Sequence, residues 1–361
     1  MKTQKFPKDE FASRLKQRRK ACNFSMEALA QATGRYVTKQ ALSKYELGLM
    51  FPKTDVIEVL ARALSVSPSY FYEERQNPVQ HIQIQLAPYR ESSVKQETYL
   101  LEQIKERIEQ YLEIENLLGK SIVPYQEQGR RVFASAEEAV ATADALRTSW
   151  HLGQDPLGNL MHLFSRHGIT LLRMEGPKSL SGAVALVNQE RPFLMWCAHP
   201  LSIEQQRESL MHLFGRLLCF QSAETKKTLP YVADFAREML LPAAEITRLY
   251  QPGESLSFLE VKQLQQYYGL TLDSTMKQIY DQGILNHNRY QHYKNQKLRH
   301  PILQEGKTAT AYPEQMLDSY EVLLHAAVAR HIISLEKAIN QLPVSPEQFK
   351  QQLLILWIKA M

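Results

Sequence analysis

Apolar residues recur at steps of three and four along most of the chain, the pattern of helices with one buried face. Leu210, Leu213, Phe214, Leu217 and Leu218 form such a stripe, and Ser202 with Gln205 predicts a capping-box start for that helix. A second helix is predicted over Tyr231 to Pro242. Near the start, Phe11 and Leu15 mark an opening helix, and Ser25 caps one that carries Ala28, Leu29 and Ala32 and breaks at Gly34. Thr38 caps a third from Lys39 to Glu46, which stops at Gly48. Asp55 to Leu64 makes a fourth and Pro68 to Glu73 a fifth. Five short helices, two joined by a tight turn, indicate a helix-turn-helix domain.

Between residues 76 and 93 the pattern changes. Ile82, Ile84 and Leu86 alternate with glutamines, as in an extended linker or a single strand. Glu97 to Leu118 then reads as one long helix, its seam of Leu101, Ile104, Ile108, Tyr111 and Leu118 interrupted by Glu115. That is a flawed coiled-coil seam, which suits dimerisation or packing against a neighbouring domain equally. Ser135 and Glu138 open a helix to Trp150, and another ends at His167. Ile169–Arg173, Gly182–Val187 and Arg191–Ala198 read as strands of a small sheet. Helices follow near Ala243–Tyr250, Phe258–Tyr268 and Ser274–Gln282. In the tail, one helix runs from Tyr312 to His331, Ser334 caps a second, and Ser345 opens a third to Trp357. The predicted fold class is mainly α with a small β-sheet. Its segments are 1–75, a linker with the long helix at 76–133, an α+β domain at 134–300, and a helical tail at 301–361.

Charge sharpens this division. Residues 1–75 carry 14 Lys and Arg against 8 Asp and Glu, while the rest carries 29 against 30, from chain totals of 43 and 38. The basic surplus sits in the segment expected to meet phosphate. With no apolar run of eighteen residues and no signal-type start, the expectation is a cytoplasmic, nucleoid-associated protein without a membrane partner. Three widely spaced cysteines (Cys22, Cys197, Cys219) suit neither a disulfide framework nor a zinc pattern.

The first segment resembles the XRE group, the Cro and phage-repressor type. The resemblance rests on Glu27-Ala28-Leu29-Ala30, on Leu42-Ser43-Lys44-Tyr45-Glu46-x-Gly48 with Pro52, and on Leu60-Ala61-x-Ala63-Leu64-x-Val66-Ser67. It implies a helix in the major groove of double-stranded operator DNA. Lys39, Gln40 and Ser43 are then the base-edge candidates, because lysine suits guanine and glutamine suits adenine. Arg35, Tyr36 and Lys44 would flank the backbone. Met26 stands where the group usually places a phosphate-anchoring glutamine, which shifts that role to Thr38 and Lys53.

The two helices at Ser202–Pro242 resemble the core of the ImmA/IrrE metallopeptidases, a zincin-like fold. Leu146-Arg147-x-x-Trp150-x-Leu152-Gly153-x-Asp155-Pro156-Leu157-x-Asn159-Leu160 and Arg191-Pro192-Phe193 extend the resemblance. That family writes HExxH on the first helix and places a third zinc ligand on the second. Here His212 alone matches; Leu213 stands for the general base, Arg216 for the second ligand and Val232 for the third. The implication is a peptidase-like domain with no catalytic set, no metal and no cofactor. His212 is by itself more often a core histidine. Arg216 needs a carboxylate or an anion, and Asp234 or a ligand could supply it. His212, Arg216 and Asp234 are thus a possible ligand pocket.

The expected function is sequence-specific transcription regulation by a homodimer, joined through residues 97–118 and the tail, and the protein is not expected to be an enzyme. Resemblance to regulators of short-chain fatty-acid metabolism implies a small anionic effector of the acyl-coenzyme A kind. The rival readings are an active zinc peptidase that cleaves a repressor, and an antitoxin or phage-immunity repressor that binds a protein partner.

Overall fold

The computed structural model describes residues 8–21, 24–64, 66, 68–71, 81–87, 94–126, 133–177, 180–197, 201–220, 229–254, 256–299, 312, 318–339, 341 and 349. They fall into two compact units. One comprises Met1–Pro78, Glu106–Ser121 and Tyr320–Met361; the other comprises Val79–Lys105 and Ile122–Ser319. Among the described residues no helix is long and apolar enough to cross a membrane.

In the first unit, α1 (Lys8–Ala21), α2 (Met26–Ala32), α3 (Lys39–Glu46) and α4 (Thr54–Ala63) surround a core that includes Phe11, Leu15, Leu29, Leu42, Ile57 and Leu60. The Ser25 hydroxyl accepts from the Ala28 N–H at 3.0 Å and the Thr38 hydroxyl from Ala41 at 3.2 Å, so both predicted caps form. The expected fifth helix is a correction: Pro68–Phe71 is a 3₁₀ turn, and Glu73 lies outside the described residues. Arg14 takes the Tyr70 carbonyl at 2.6 Å, and Phe71 is buried with its ring 5.1 Å from Phe11. Both contacts favour a short turn over continued helix.

Arg19 and Glu46 form a buried two-point ion pair, 2.5 Å from Nε to Oε1 and 2.8 Å from Nη2 to Oε2. It ties the end of α3 to α1. The tail belongs to the same unit. The Ile332 carbonyl, between α14 (Ser319–Ala329) and α15 (Leu335–Ile339), accepts from Arg18 Nη1 at 3.3 Å. The tail helix expected from Tyr312 begins at Ser319, and 313–317 lie outside the described residues. So does the helix expected from Ser345, except Phe349.

The long helix α5 (Val94–Leu118) contributes Glu106 onwards to this unit. There Arg107 donates to the Gln341 carbonyl at 3.1 Å, and Lys337 lies 3.6 Å from Glu113. Ile104, Ile108, Tyr111 and Leu118 are buried, and Glu115, buried too, accepts from the Tyr111 hydroxyl at 3.2 Å. Four of the five apolar seam residues are therefore buried within one chain, and the fifth, Leu101, is half-buried.

The second unit is built on a four-stranded mixed sheet in the order β1-β3-β4-β2. β2 (Thr170–Met174) runs parallel to β4 (Arg191–Cys197), and β3 (Gly182–Val187) runs antiparallel to both β4 and β1 (Ile82–Leu86). The alternating linker is thus the sheet's edge strand. α8 (Ile203–Leu218) covers one face. A Cβ at Gly182 would lie 2.1 Å from the Met195 carbonyl oxygen and 2.9 Å from Leu213 Cδ1, so only glycine admits this approach. α9 (Val232–Leu240) packs on α8 at Gly215, against Val232 and Phe235. Around this core lie α6 (Ala136–Ser149), α7 (Leu160–Arg166), α10 (Ala243–Leu249), α11 (Phe258–Tyr268), α12 (Leu272–Asp281) and α13 (His287–Arg299).

Two buried arginines hold the 153–158 stretch by its carbonyls. Arg147 donates to Gly153 at 2.9 Å, Asp155 at 2.7 Å and Met239 at 2.5 Å. Arg207 donates to Leu157 at 2.6 Å, Gly158 at 2.9 Å, Gly269 at 3.2 Å and Tyr268 at 3.5 Å, and lies 3.8 Å from the centre of the Tyr312 ring. Burial pushes the Arg207 pKa down to about 10, still far above neutrality.

Beside Arg147, Glu238 is 1% exposed and accepts from Ala243 N–H and Gln278 Nε2, each at 2.7 Å. Burial, with Asp144 adding repulsion, raises its pKa to about 7. The folded state therefore keeps this proton after the unfolded chain has lost it, so this contribution to stability is present below pH ~4.5 and lost as pH rises through ~7. Urea unfolding across that window is expected to show wild type losing about 1–3 kcal/mol relative to Glu238→Gln. Parallel curves for the two proteins would contradict the assignment.

Candidate functional site

The structure places most of the sequence-derived DNA candidates on one exposed element. Lys39, Gln40 and Lys44 of α3 are exposed and Ser43 is half-buried, while Leu42 and Tyr45 face the core. The turn before α3 uses Gly34 (φ 66°) and Arg35 (φ 61°), both left-handed, which swings Arg35 and Tyr36 outward. Tyr36 is 57% exposed and donates to Asp55 Oδ2 at 2.8 Å, a bracket from this turn to α4 that the sequence reading missed. Asp55 holds the tyrosine hydroxyl proton and raises its pKa. Thr38 spends its hydroxyl oxygen on the cap, so its direct offer to a phosphate is the hydroxyl proton. Lys53 is exposed at the start of α4, and Met26 is half-buried at the start of α2. Lys39 lies 3.9 Å from Glu27, and both are largely exposed, so the pair restrains Lys39 little.

In the second unit, Leu213 and Val232 are buried in the core. Among the described residues no group of three or more His, Cys, Asp or Glu is arranged to hold a metal ion. Cys197 and Cys219 are buried thiols whose pKa is pushed up to about 12 by burial, and Cys22 lies outside the described residues.

Asp234 is a correction. It pairs with Arg237, three residues further along α9, and not with Arg216. An i,i+3 neighbour on the same helix face is nearer than a guanidinium on another helix. Asp281 of α12 reaches the same Arg237 nitrogen at 3.5 Å. Arg216, only 7% exposed, donates instead from Nη1 to the Leu86 carbonyl of β1 at 3.3 Å. Burial lowers its pKa.

His212 stands one helical turn before Arg216. Its pKa is pushed down to about 4 by burial, with Arg237 and Arg216 adding repulsion. It is neutral at pH 7 and contributes hydrogen-bonding capacity, not charge. Since the unfolded ring protonates near pH 6.5, stability from this group is lost as pH falls from there towards 4. In an NMR titration, His212 is expected to keep its neutral shifts from pH 8 to 5; a midpoint near 6.5 would contradict this environment.

Comparison with known proteins bears on the first unit. The Helix-turn-helix family HTH_3 matches residues 15–71. An "Uncharacterized HTH-type transcriptional regulator y4wC" of Sinorhizobium fredii is 38% identical over 66 residues, 18% of this chain and 45% of that protein. The match thus spans less than half of that relative's length. No solved structure matches the chain. With its caps, its left-handed turn and its exposed α3, the stretch 15–71 is an XRE-type helix-turn-helix domain.

Proposed function

We propose that the protein is a sequence-specific transcription regulator that reads operator DNA with α3. The observation that carries this is the presentation of Lys39, Gln40 and Lys44 on the exposed face of a capped helix in a helix-turn-helix domain. Lys39, Gln40 and Ser43 face the base edges. Arg35, Tyr36, Lys44 and Lys53 line the phosphates on either side, with Thr38 and Met26 at the helix starts. The protein acts as a homodimer on a two-fold symmetric operator, since one such module alone buries little DNA surface. The largely buried seam of α5 favours other surfaces for that dimerisation.

The second unit is proposed as a peptidase-like domain of the ImmA/IrrE kind, without hydrolytic activity, that senses a small anion at Arg216. In support, α8 and α9 pack as the resemblance implies, and Leu213 and Val232 fill two positions that the chemistry would need. Arg216, with no carboxylate partner among the described residues, favours an anion over a protein surface as the occupant.

Electrophoretic mobility and light scattering test the DNA-reading proposal. The full chain should run at about twice 41.7 kDa and prefer its selected operator to scrambled duplex at physiological salt. Gln40→Ala should cost about 1–3 kcal/mol on the operator and relax base preference at one position, whereas Lys53→Ala should weaken all duplexes alike and flatten the salt dependence. Equal affinity of wild type for operator and scrambled duplex would sink the proposal.

A further inference from the structure

The helix α13 (His287–Arg299) carries four Lys and Arg, two His and no Asp or Glu, although the chain from residue 76 onwards holds slightly more acids than bases. Helix stability alone does not ask for this. The helix dipole favours carboxylates in the first turn and cations in the last, so it accounts for Lys297 and Arg299. It does not account for Arg289, which stands in the first turn, or for Lys294 in the middle. A surface helix kept only for solubility ordinarily mixes the two signs, because Glu or Asp four residues from Lys or Arg adds stability. α13 forgoes every such pair.

The helix is held by its other face. Tyr290 and Tyr293 are buried; the Tyr290 ring stacks on Tyr280 of α12 with 4.5 Å between centres, and the Tyr293 hydroxyl donates to Asp273 at 2.7 Å. Lys297 pairs with Asp273 as well, so its charge is met within the fold. Arg289, Lys294 and Arg299 are exposed. The positions that share the exposed face with them, Asn288, Gln291, His292 and Asn295, bring amides and an imidazole, which also donate hydrogen bonds. The outer face of α13 therefore presents cations and neutral donors, with no carboxylate of its own.

We propose that this face of α13 is a second DNA contact, which grips the phosphates of the duplex beside the stretch that α3 reads. Phosphate oxygens accept from such side chains without regard to sequence, so the contact adds affinity and salt dependence but no base preference. Other polyanions fit less well. A membrane surface calls for exposed apolar side chains on the helix, and single-stranded nucleic acid for exposed aromatic rings. Among the described residues of α13, both tyrosines are buried and the exposed face has no apolar side chain. The inference rests on the proposal that the chain binds operator DNA, and adds a second place where it does so.

The test measures binding of the full chain to an operator duplex of ~20 base pairs and to one longer by about one helical turn at each end, over a range of salt. Wild type is compared with an α13 variant (Lys294→Gln, Arg299→Gln) and an α3 variant (Lys39→Ala, Lys44→Ala). Wild type is expected to bind the longer duplex about tenfold more tightly and with the steeper salt dependence. The α13 variant should lose that advantage and flatten the salt slope by about 2 per chain, while base preference and melting temperature stay as in wild type. The charge-keeping pair Lys294→Arg, Arg299→Lys should bind like wild type. If the α13 variant matches wild type on both duplexes, this inference falls while operator reading by α3 stands. If the α3 variant loses nothing and the α13 variant loses duplex binding, operator reading by α3 falls and the α13 contact stands. Single-stranded RNA and vesicles of equal parts phosphatidylcholine and phosphatidylserine run alongside. A loss on either of them in the α13 variant as large as its loss on duplex would overturn duplex DNA as the partner.

Discussion

A guanidinium cannot shed its charge, so each one taken out of water must find acceptors or leave an unpaid cost. This chain buries several and settles them in different ways. Arg19 takes a carboxylate, Glu46. Arg18 takes the Leu64 and Ile332 carbonyls. Arg147 and Arg207 take seven backbone carbonyls between them, drawn from stretches far apart in the chain. Each solution joins elements that apolar packing alone would let slide. Arg19 sets α3 against α1. Arg147 and Arg207 fix an irregular stretch, 153–158, that has no ladder of its own. Arg216 stands apart from this pattern, and the sensing proposal grows from that difference.

The same logic ties the end of the chain to its beginning. Arg18 closes on the carbonyl of Ile332, and Arg107 caps the backbone at Gln341 while stacking 4.9 Å from the centre of the Tyr320 ring. The helix-turn-helix domain is thus completed by residues some three hundred positions away. α5 takes part as well, with its buried apolar face and the ion pair between Glu113 and Lys337. A chain built this way has its helix-turn-helix domain packed by residues from far along its sequence.

Local features were legible in the sequence because their causes are local. Ser25, Thr38, Ser135 and Ser202 cap the helices that their spacing predicted, and β2, β3 and β4 lie within a residue or two of the expected bounds. α13 escaped notice because its buried contacts come from Tyr290 and Tyr293 within a run of polar residues, too thin a stripe to show a period. β1 read equally well as linker or strand, since an edge strand is defined by a partner, Gly182–Val187, about a hundred residues on. At the candidate site, the helical stripe marks Arg216 as a cation on a helix with a buried face, and the structure leaves it 7% exposed. Of the two partners the sequence leaves open for it, Asp234 is taken by the nearer Arg237, and the Leu86 carbonyl that Arg216 meets carries no side-chain signature.

The central claim is that, among the described residues, Arg216 meets one acceptor, the Leu86 carbonyl, whereas Arg147 and Arg207 have a carbonyl at every guanidinium nitrogen. Side-chain Nε–H exchange, followed by NMR on arginine-labelled protein, addresses it directly. The Nε–H groups of Arg147 and Arg207, bonded to the Gly153 and Gly269 carbonyls, should exchange slowly. That of Arg216 should exchange much faster in the ligand-free protein. Protection of Arg216 equal to that of Arg147 and Arg207 would contradict the account.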